Sequence, residues 1–420
     1  MFRMYLSLVV LFAFTFSFSQ TPTIVDVKFK GTKRIKVSFI KKLINTKAGS
    51  TLDSLQLKDD VIRLIRLPSV SHAYFQTYKT DNDGYDVIFN IEENFTLIPF
   101  ANLFSSSNDD FAFRIGLQEF NLLGKNITLG GFYQYDVFHS YGLDLRAPYL
   151  FSNKLGLSLS YKDFATQEPV FFNNTSADYK YRNMGLEVMG LYELNFKNRV
   201  ELGFSIFTED YQYLSGATQA DVPQSLNVDK HLFKLIYSYE DIEYHYYFLN
   251  GFRSTLNFQY VGSTDENLPK FLIGFNDFVF YKRIRKKGNW ANRLRLGLAS
   301  NMETPFAPFT VDNNLNIRGV GNTIDRGTAA IVFNTEYRHT LIDGDWFVLQ
   351  SNLFIDGGSW RNPGGDFSDF GDNENLRIYP GVGLRFIHKR IFNAIFRIDY
   401  GHGITKNPSR GIVFGIGQYF

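Results

Sequence analysis

Apolar and polar residues alternate one by one along most of this chain. Leu155, Leu157, Leu159 and Tyr161 interleave with Gly156, Ser158, Ser160 and Lys162. Leu376, Ile378, Pro380, Val382, Leu384 and Phe386 interleave with Arg377, Tyr379, Gly381, Gly383 and Arg385. Phe392, Ala394, Phe396, Ile398 and Tyr400 do the same with Asn393, Ile395, Arg397 and Asp399. A period of two marks strands with two unlike faces. Sixteen such segments can be placed, starting near residues 97, 111, 127, 141, 155, 179, 199, 230, 251, 270, 290, 328, 346, 376, 391 and 410. The connections 121–126, 151–154, 342–345 and 388–390 are short, while 166–176, 215–228, 303–327 and 357–374 are long. Short turns on one rim and long loops on the other are the rhythm of a transmembrane β-barrel, apolar face to lipid and polar face to the lumen.

Residues 21–95 break that rhythm. A strand over 23–30 is followed by a helix with Val37, Ile40, Leu43 and Ile44 at helical spacing. A second helix over 54–66 sets Leu55, Val61, Ile62 and Ile65 to one side, and Pro68 stops it. Strands over 70–78 and 85–93 flank Asp81, Asn82, Asp83 and Gly84, which is hairpin-turn chemistry. The expected fold is therefore mostly β: one small α+β domain of order β-α-α-β-β at 21–95, then a 16-stranded antiparallel barrel at 96–420.

Both ends of the sequence support export to a membrane. Residues 1–19 read as a signal peptide, with Arg3, an apolar run and a small-residue site at Ser17 to Ser19. Near residue 411 a last strand is expected to run to Phe420. Ile412, Phe414, Ile416 and Phe420 share one face of it, and Val413, Gly415, Gly417 and Tyr419 the other. Such an edge is a liability in water, but barrel closure pairs it with the first strand.

Composition sharpens the picture without deciding it. Mean hydropathy is −0.17, which hides a lipid face behind a polar lumen. Aromatics reach 17%, with 44 Phe and 25 Tyr, in keeping with a barrel; on composition alone a secreted β-sandwich stays open. With no cysteine, no disulfide helps the fold, and a net charge of +2 points to no nucleic acid partner. The seven histidines are scattered and no catalytic motif is present, so no enzyme, cofactor or metal is expected. The basic run 282–287 and the acidic residues Asp366, Asp369, Asp372 and Glu374 read as solvated connections.

One carboxylate stands out. If Phe347, Leu349, Leu353 and Ile355 face lipid, Asp356 faces the lumen and needs a cation. The loop 303–327 carries Ile317, Arg318, Gly319 and Val320, and an arginine folded inward from its tip would meet the carboxylate bidentately. Inward positions also hold Glu336 and Arg338, candidate supports for the loop, with Arg293, Arg295, Arg377, Arg385, Arg397 and Asp399.

With these motifs in this order, the chain resembles the Omp85 outer-membrane translocases, which set POTRA domains of β-α-α-β-β order before a sixteen-stranded barrel. Ile317, Arg318 and Gly319 match the family's lid-loop tip, and Phe354, Asp356 and Gly358 its partner motif on the thirteenth strand. Phe120 to Gly124, Arg146 to Tyr149 and the final Phe-Gly-Ile-Gly-Gln-Tyr-Phe also look like family segments. Val320 stands where the family has an aromatic, and one POTRA domain stands where relatives have several.

The resemblance implies a polypeptide translocase or assembly factor in the outer membrane of a Gram-negative bacterium, with its POTRA domain in the periplasm. It would insert β-barrel proteins through a lateral seam or export a polypeptide through the lumen, gated by the sixth outer loop. The implied partners are unfolded outer-membrane or secreted polypeptides, outer-membrane lipid and accessory lipoproteins. The seam would involve Gly411, Phe414, Gly415, Gly417, Tyr419 and Phe420, with the three glycines weakening strand pairing. A two-partner-type secretion pore and a passive diffusion porin remain as alternatives.

Overall fold

The structure is a computed structural model. It describes residues 22–420 except 82–83, 106–110, 173–174, 219–221, 246, 267, 302–306, 312–315, 322–326, 392–393 and 406–407. The proposed signal peptide and the middle of the 81–84 turn thus lie outside the described residues.

The N-terminal domain holds β1 (Ile24–Lys30), helices α1 (Val37–Leu43) and α2 (Ser54–Ile65), β2 (Val70–Lys79) and β3 (Tyr85–Glu93). The sheet order is β1-β3-β2, with β1 parallel and β2 antiparallel to β3. Ile40, Leu43, Ile44, Leu57, Leu64, Val87 and Phe89 form the core between helices and sheet. Asp53 caps α2 by accepting the Leu55 N–H. The buried face of α2 differs in part from expectation. Val61 and Ile65 pack on the core as expected, but Leu55 is 69% exposed, and Leu57, Asp60, Arg63 and Leu64 are the buried positions. The reason is polar: Asp60 accepts the N–H groups of Asn45 and Thr46 at 2.9 and 2.8 Å, which fixes the helix rotation. Val37 on α1 is likewise exposed.

Sixteen barrel strands follow in the expected order. The first flank holds β4 (Leu97–Ser105), β5 (Phe111–Leu122), β6 (Ile127–Asp136), β7 (Phe138–Ala147) and β8 (Leu155–Phe172). Next come β9 (Thr175–Asn195), β10 (Asn198–Gly216), β11 (Ser225–His245), β12 (Phe248–Ser263), β13 (Phe271–Ile284) and β14 (Gly288–Ala299). The last are β15 (Ala329–Asp343), β16 (Phe347–Arg361), β17 (Leu376–His388), β18 (Ile395–His402) and β19 (Arg410–Ile416). Alternation sorts the faces: Leu353 and Ile355 are 62% and 50% exposed on the outside of β16, and Asp356 is wholly buried inside.

Three expectations need correcting. Residues 166–172 and 175–176 are strand and not loop: β8 and β9 run on as paired strands to Phe172 and Thr175, because the ladder that begins at Leu155 and Tyr192 continues without a break. The final strand stops at Ile416, where Gly417 adopts φ +89°, a conformation glycine tolerates best, and the chain turns into the lumen. Phe420 therefore leaves the outer face it was expected to share with Phe414 and is buried. Finally, among the described residues the sheet runs from β4 to β19 with no ladder between those two strands, which lie close to each other, so the barrel is nearly rather than fully closed.

Candidate functional site

Between β14 and β15, residues 316–321 lie in the lumen, and Arg318 among them is fully buried. Asp356 accepts the Arg318 backbone N–H at 3.0 Å, its Nε–H at 2.8 Å and its Nη2–H at 3.0 Å. Glu336 accepts from Nη1 at 2.7 Å. Burial opposes the charge on Arg318, but Glu336 and Asp356 outweigh it and hold the guanidinium pKa above its ordinary value. The Phe354 ring lies over the guanidinium, 3.6 Å from centroid to Cζ.

The rest of the tip is held by shape. Gly319 sits at φ +90° with its backbone against Gly401 on β18, where a Cβ would come within 2.6 Å of the Gly401 carbonyl oxygen. Ile317 and Val320 pack among Val311, Val332, Trp360 and Tyr379, and a Cβ at Gly358 would strike Val311. Ser409 donates to the Val320 carbonyl at 2.8 Å.

Glu336 joins the tip to the wall. Arg385 donates to both of its oxygens at 2.6 and 2.8 Å, and Arg338 donates through Nε at 2.5 Å. Arg338 thus supports Glu336 and does not itself touch the tip. Asp399 accepts from Arg397 and Asn352, each at 2.9 Å. A buried carboxylate with three cationic partners is firmly set, because losing any one leaves charge uncompensated.

The residues after Gly417 complete the cluster. Gln418 accepts from Arg385 at 2.5 Å. The Tyr419 ring covers Arg318 and flanks Arg293 and Arg397. Phe420 crosses to the opposite wall and packs on Ile242, Val279, Tyr281 and Ala291. Among the proposed seam residues, Gly411, Phe414 and Gly415 stay in β19, whereas Gly417, Tyr419 and Phe420 belong to the plug. The plugging role of Tyr419 was invisible in its alternation, since its partners lie far away in the chain.

A second contact set was missed entirely. Arg63 of α2 donates to Glu193 at the end of β9 at 2.8 Å, with both side chains buried. Arg66 donates to the Phe196 carbonyl at 2.7 Å and lies over that ring at 4.2 Å. Lys36 N–H bonds the Gly124 carbonyl at 3.0 Å. The N-terminal domain is therefore seated on the short-turn rim of the barrel. Two arginines three apart, one in α2 and one at its C-cap, were the available signal.

Away from the plug, the β8–β13 side of the lumen contains a cavity of about 490 Å³ lined by Phe172, Tyr179, Tyr181, Tyr211 and Phe271. A second of about 350 Å³ adjoins it, sharing Tyr181, Lys230 and Phe271. Asp366, Asp369 and Asp372 accept nearby backbone N–H groups in their own loop.

Residues 22–94 match the family described as POTRA, surface antigen variable number repeat. Among solved structures, BamA from Haemophilus ducreyi lacking POTRA domains 1-3 is similar at 16% identity and TM-score 0.56, covering 94% of this chain and 84% of that one. CdiB from Acinetobacter baumannii is similar at 13% identity and TM-score 0.60, over 95% and 74%. CdiB from Escherichia coli gives 10% and 0.54, over 96% and 92%. No curated protein sequence matches the chain. At these identities the likeness speaks for the fold.

Proposed function

We propose that this chain, an Omp85-like barrel behind a single POTRA domain, is an outer-membrane translocase that inserts β-rich polypeptides through the gap between β4 and β19. The POTRA domain, residues 21–95, would face the periplasm, and the barrel, residues 96–420, would sit in the membrane. The observation that carries the reading is this unladdered seam: among the described residues every other pair of neighbouring barrel strands is laddered, and β4 and β19, though close, are not. An unpaired edge is a template for an incoming strand, recognised through backbone groups rather than sequence. Strand pairing supplies the driving force, so the reading invokes neither nucleotide nor cofactor. Unfolded client, surrounding lipid and accessory lipoproteins are the partners it calls for.

The lumen favours a gated device over a passive porin, because the tip at 317–320 and the residues after Gly417 occupy its β14–β19 side. Arg318, Asp356 and Glu336 are the lid clamp in this reading. A second reading, export through the lumen, draws support from the cavities on the β8–β13 side.

A cysteine pair joining β4 to β19 separates the two, and the natural chain has no cysteine to interfere. In vesicles given an unfolded client barrel, the oxidised pair should abolish insertion, and reduction should restore it. Undiminished insertion across a fully formed disulfide would remove the seam reading; undiminished export would favour the lumenal one.

A further inference from the structure

The end of β13 and its turn into β14 carry Lys282, Arg283, Arg285, Lys286 and Lys287, all exposed. No residue from 278 to 300 is acidic. Among the described residues, none of the five forms an ion pair with a carboxylate. The adjacent turn on this rim differs, since it mixes Asp343 and Asp345 and pairs Asp343 with Lys389. The basic turn thus presents charge of one sign, unneutralised, on the rim that seats the POTRA domain.

Its outer face adds a second observation. Lys282 stands directly opposite Trp290 in the β13–β14 ladder, and Trp290 stands opposite Tyr337 in the next. Trp290 is 46% exposed on the lipid-facing side, and its indole N–H donates to Thr335 at 2.8 Å. Arg283, on the other face, is held over the Phe248 ring at 4.8 Å. A Trp and Tyr shelf marks the depth where hydrocarbon gives way to headgroups. A lysine stem lying along that shelf delivers its ammonium to the phosphate plane.

We propose that this turn is a binding site for the phosphate headgroup of an anionic phospholipid in the periplasmic leaflet. Lys282, Lys286 and Lys287 supply the charge, and Trp290 and Tyr337 flank the acyl chains. The proposal rests on the membrane placement given above. It adds a lipid that the barrel holds at a fixed point of its wall. Clusters of basic residues next to a membrane surface attract anionic lipid at about 1 kcal/mol per charge, about fivefold in retention.

The test uses the full chain reconstituted in vesicles of phosphatidylethanolamine with phosphatidylglycerol, then extracted and weighed by native mass spectrometry with its bound lipid. Wild type should retain phosphatidylglycerol in preference to phosphatidylethanolamine. Lys282→Gln with Lys286→Gln and Lys287→Gln should lose that preference, and Lys286→Gln with Lys287→Gln alone should lose part of it. The second variant alters only the exposed turn tip and so keeps the test open if the first misfolds. Equal retention of the two lipids by wild type, or an unchanged preference in both variants, would overturn the site. Displacement by inorganic phosphate alone would show an anion site without lipid selectivity and would also overturn it. A wild-type protein that failed to enter vesicles would contradict the membrane placement instead, so the two failures are distinguishable.

Discussion

The ring centroid of Tyr419 lies 4.3 Å from the guanidinium carbon of Arg318. One residue follows the last barrel strand and the other tips the inserted loop, so the proposed seam and the proposed lid meet inside the lumen. Movement of β19 therefore disturbs the cover of a buried cation.

The first prediction concerns that cover. Tyr419→Ala removes a desolvated cation–π contact of about 2 kcal/mol. In planar bilayers the variant should open more often than wild type, and Tyr419→Phe should behave nearly as wild type. Matching traces for Tyr419→Ala and wild type would mean that seam and lid are independent.

Arg318→Glu should be the more severe change. It sets a fourth carboxylate beside Asp356, Glu336 and Asp399, and breaking a buried pair costs about 3–5 kcal/mol. Client insertion in vesicles should fall to background, with the loop becoming open to added protease. Adding Asp356→Arg should recover part of the activity. Wild-type insertion by Arg318→Glu would end the lid assignment.

The POTRA seat gives a third. Arg63→Ala leaves Glu193 buried without its partner, at a cost of about 2–5 kcal/mol. The domain should leave the rim more readily, seen as faster proteolysis near residues 94–97 while the barrel stays resistant. An unchanged cleavage rate would mean that the seat does not depend on this pair.

Alkaline pH supplies a fourth. Burial, and then the nearby Asp356 charge, hold the Tyr419 phenol above its ordinary value. In the unfolded chain it ionises near pH ~10, where the folded form still keeps its proton. The folded state then binds more protons, so stability falls as pH rises beyond that point. Tyr419→Phe should lessen this loss in alkaline unfolding curves. An identical slope in both proteins would show that the phenol is not sheltered.

Much of this architecture could be read from alternation. Leu353 and Ile355 outside, with Asp356 inside, follow from a period of two, and so do the number and order of the strands. That Asp356 needs a lumenal cation followed from the same period and made an inward-folded Arg318 a candidate, and the match of both to family motifs then singled out that pairing among the inward arginines. What escaped was set by contacts across the molecule. The inward turn at Gly417 depends on Arg318, Arg385 and the opposite wall around Ile242, none of which is near it in the chain. The rotation of α2 was hidden because Asp60 and Arg63 are polar and yet buried, which reverses the usual sorting of a helix.

The wall is uneven in height. β9 covers 21 residues, while β19 covers 7. At about 3.3 Å per residue, β19 extends roughly 23 Å before any tilt, less than the ~30 Å hydrocarbon thickness of an ordinary bilayer. In the membrane placement proposed above, acyl chains beside β19 and its short neighbours β18 and β4, of 8 and 9 residues, would shorten or splay to match, at a modest cost for each ångström of mismatch. The bilayer would then be thinnest over that band, and an amphipathic strand arriving there would cross the least hydrocarbon.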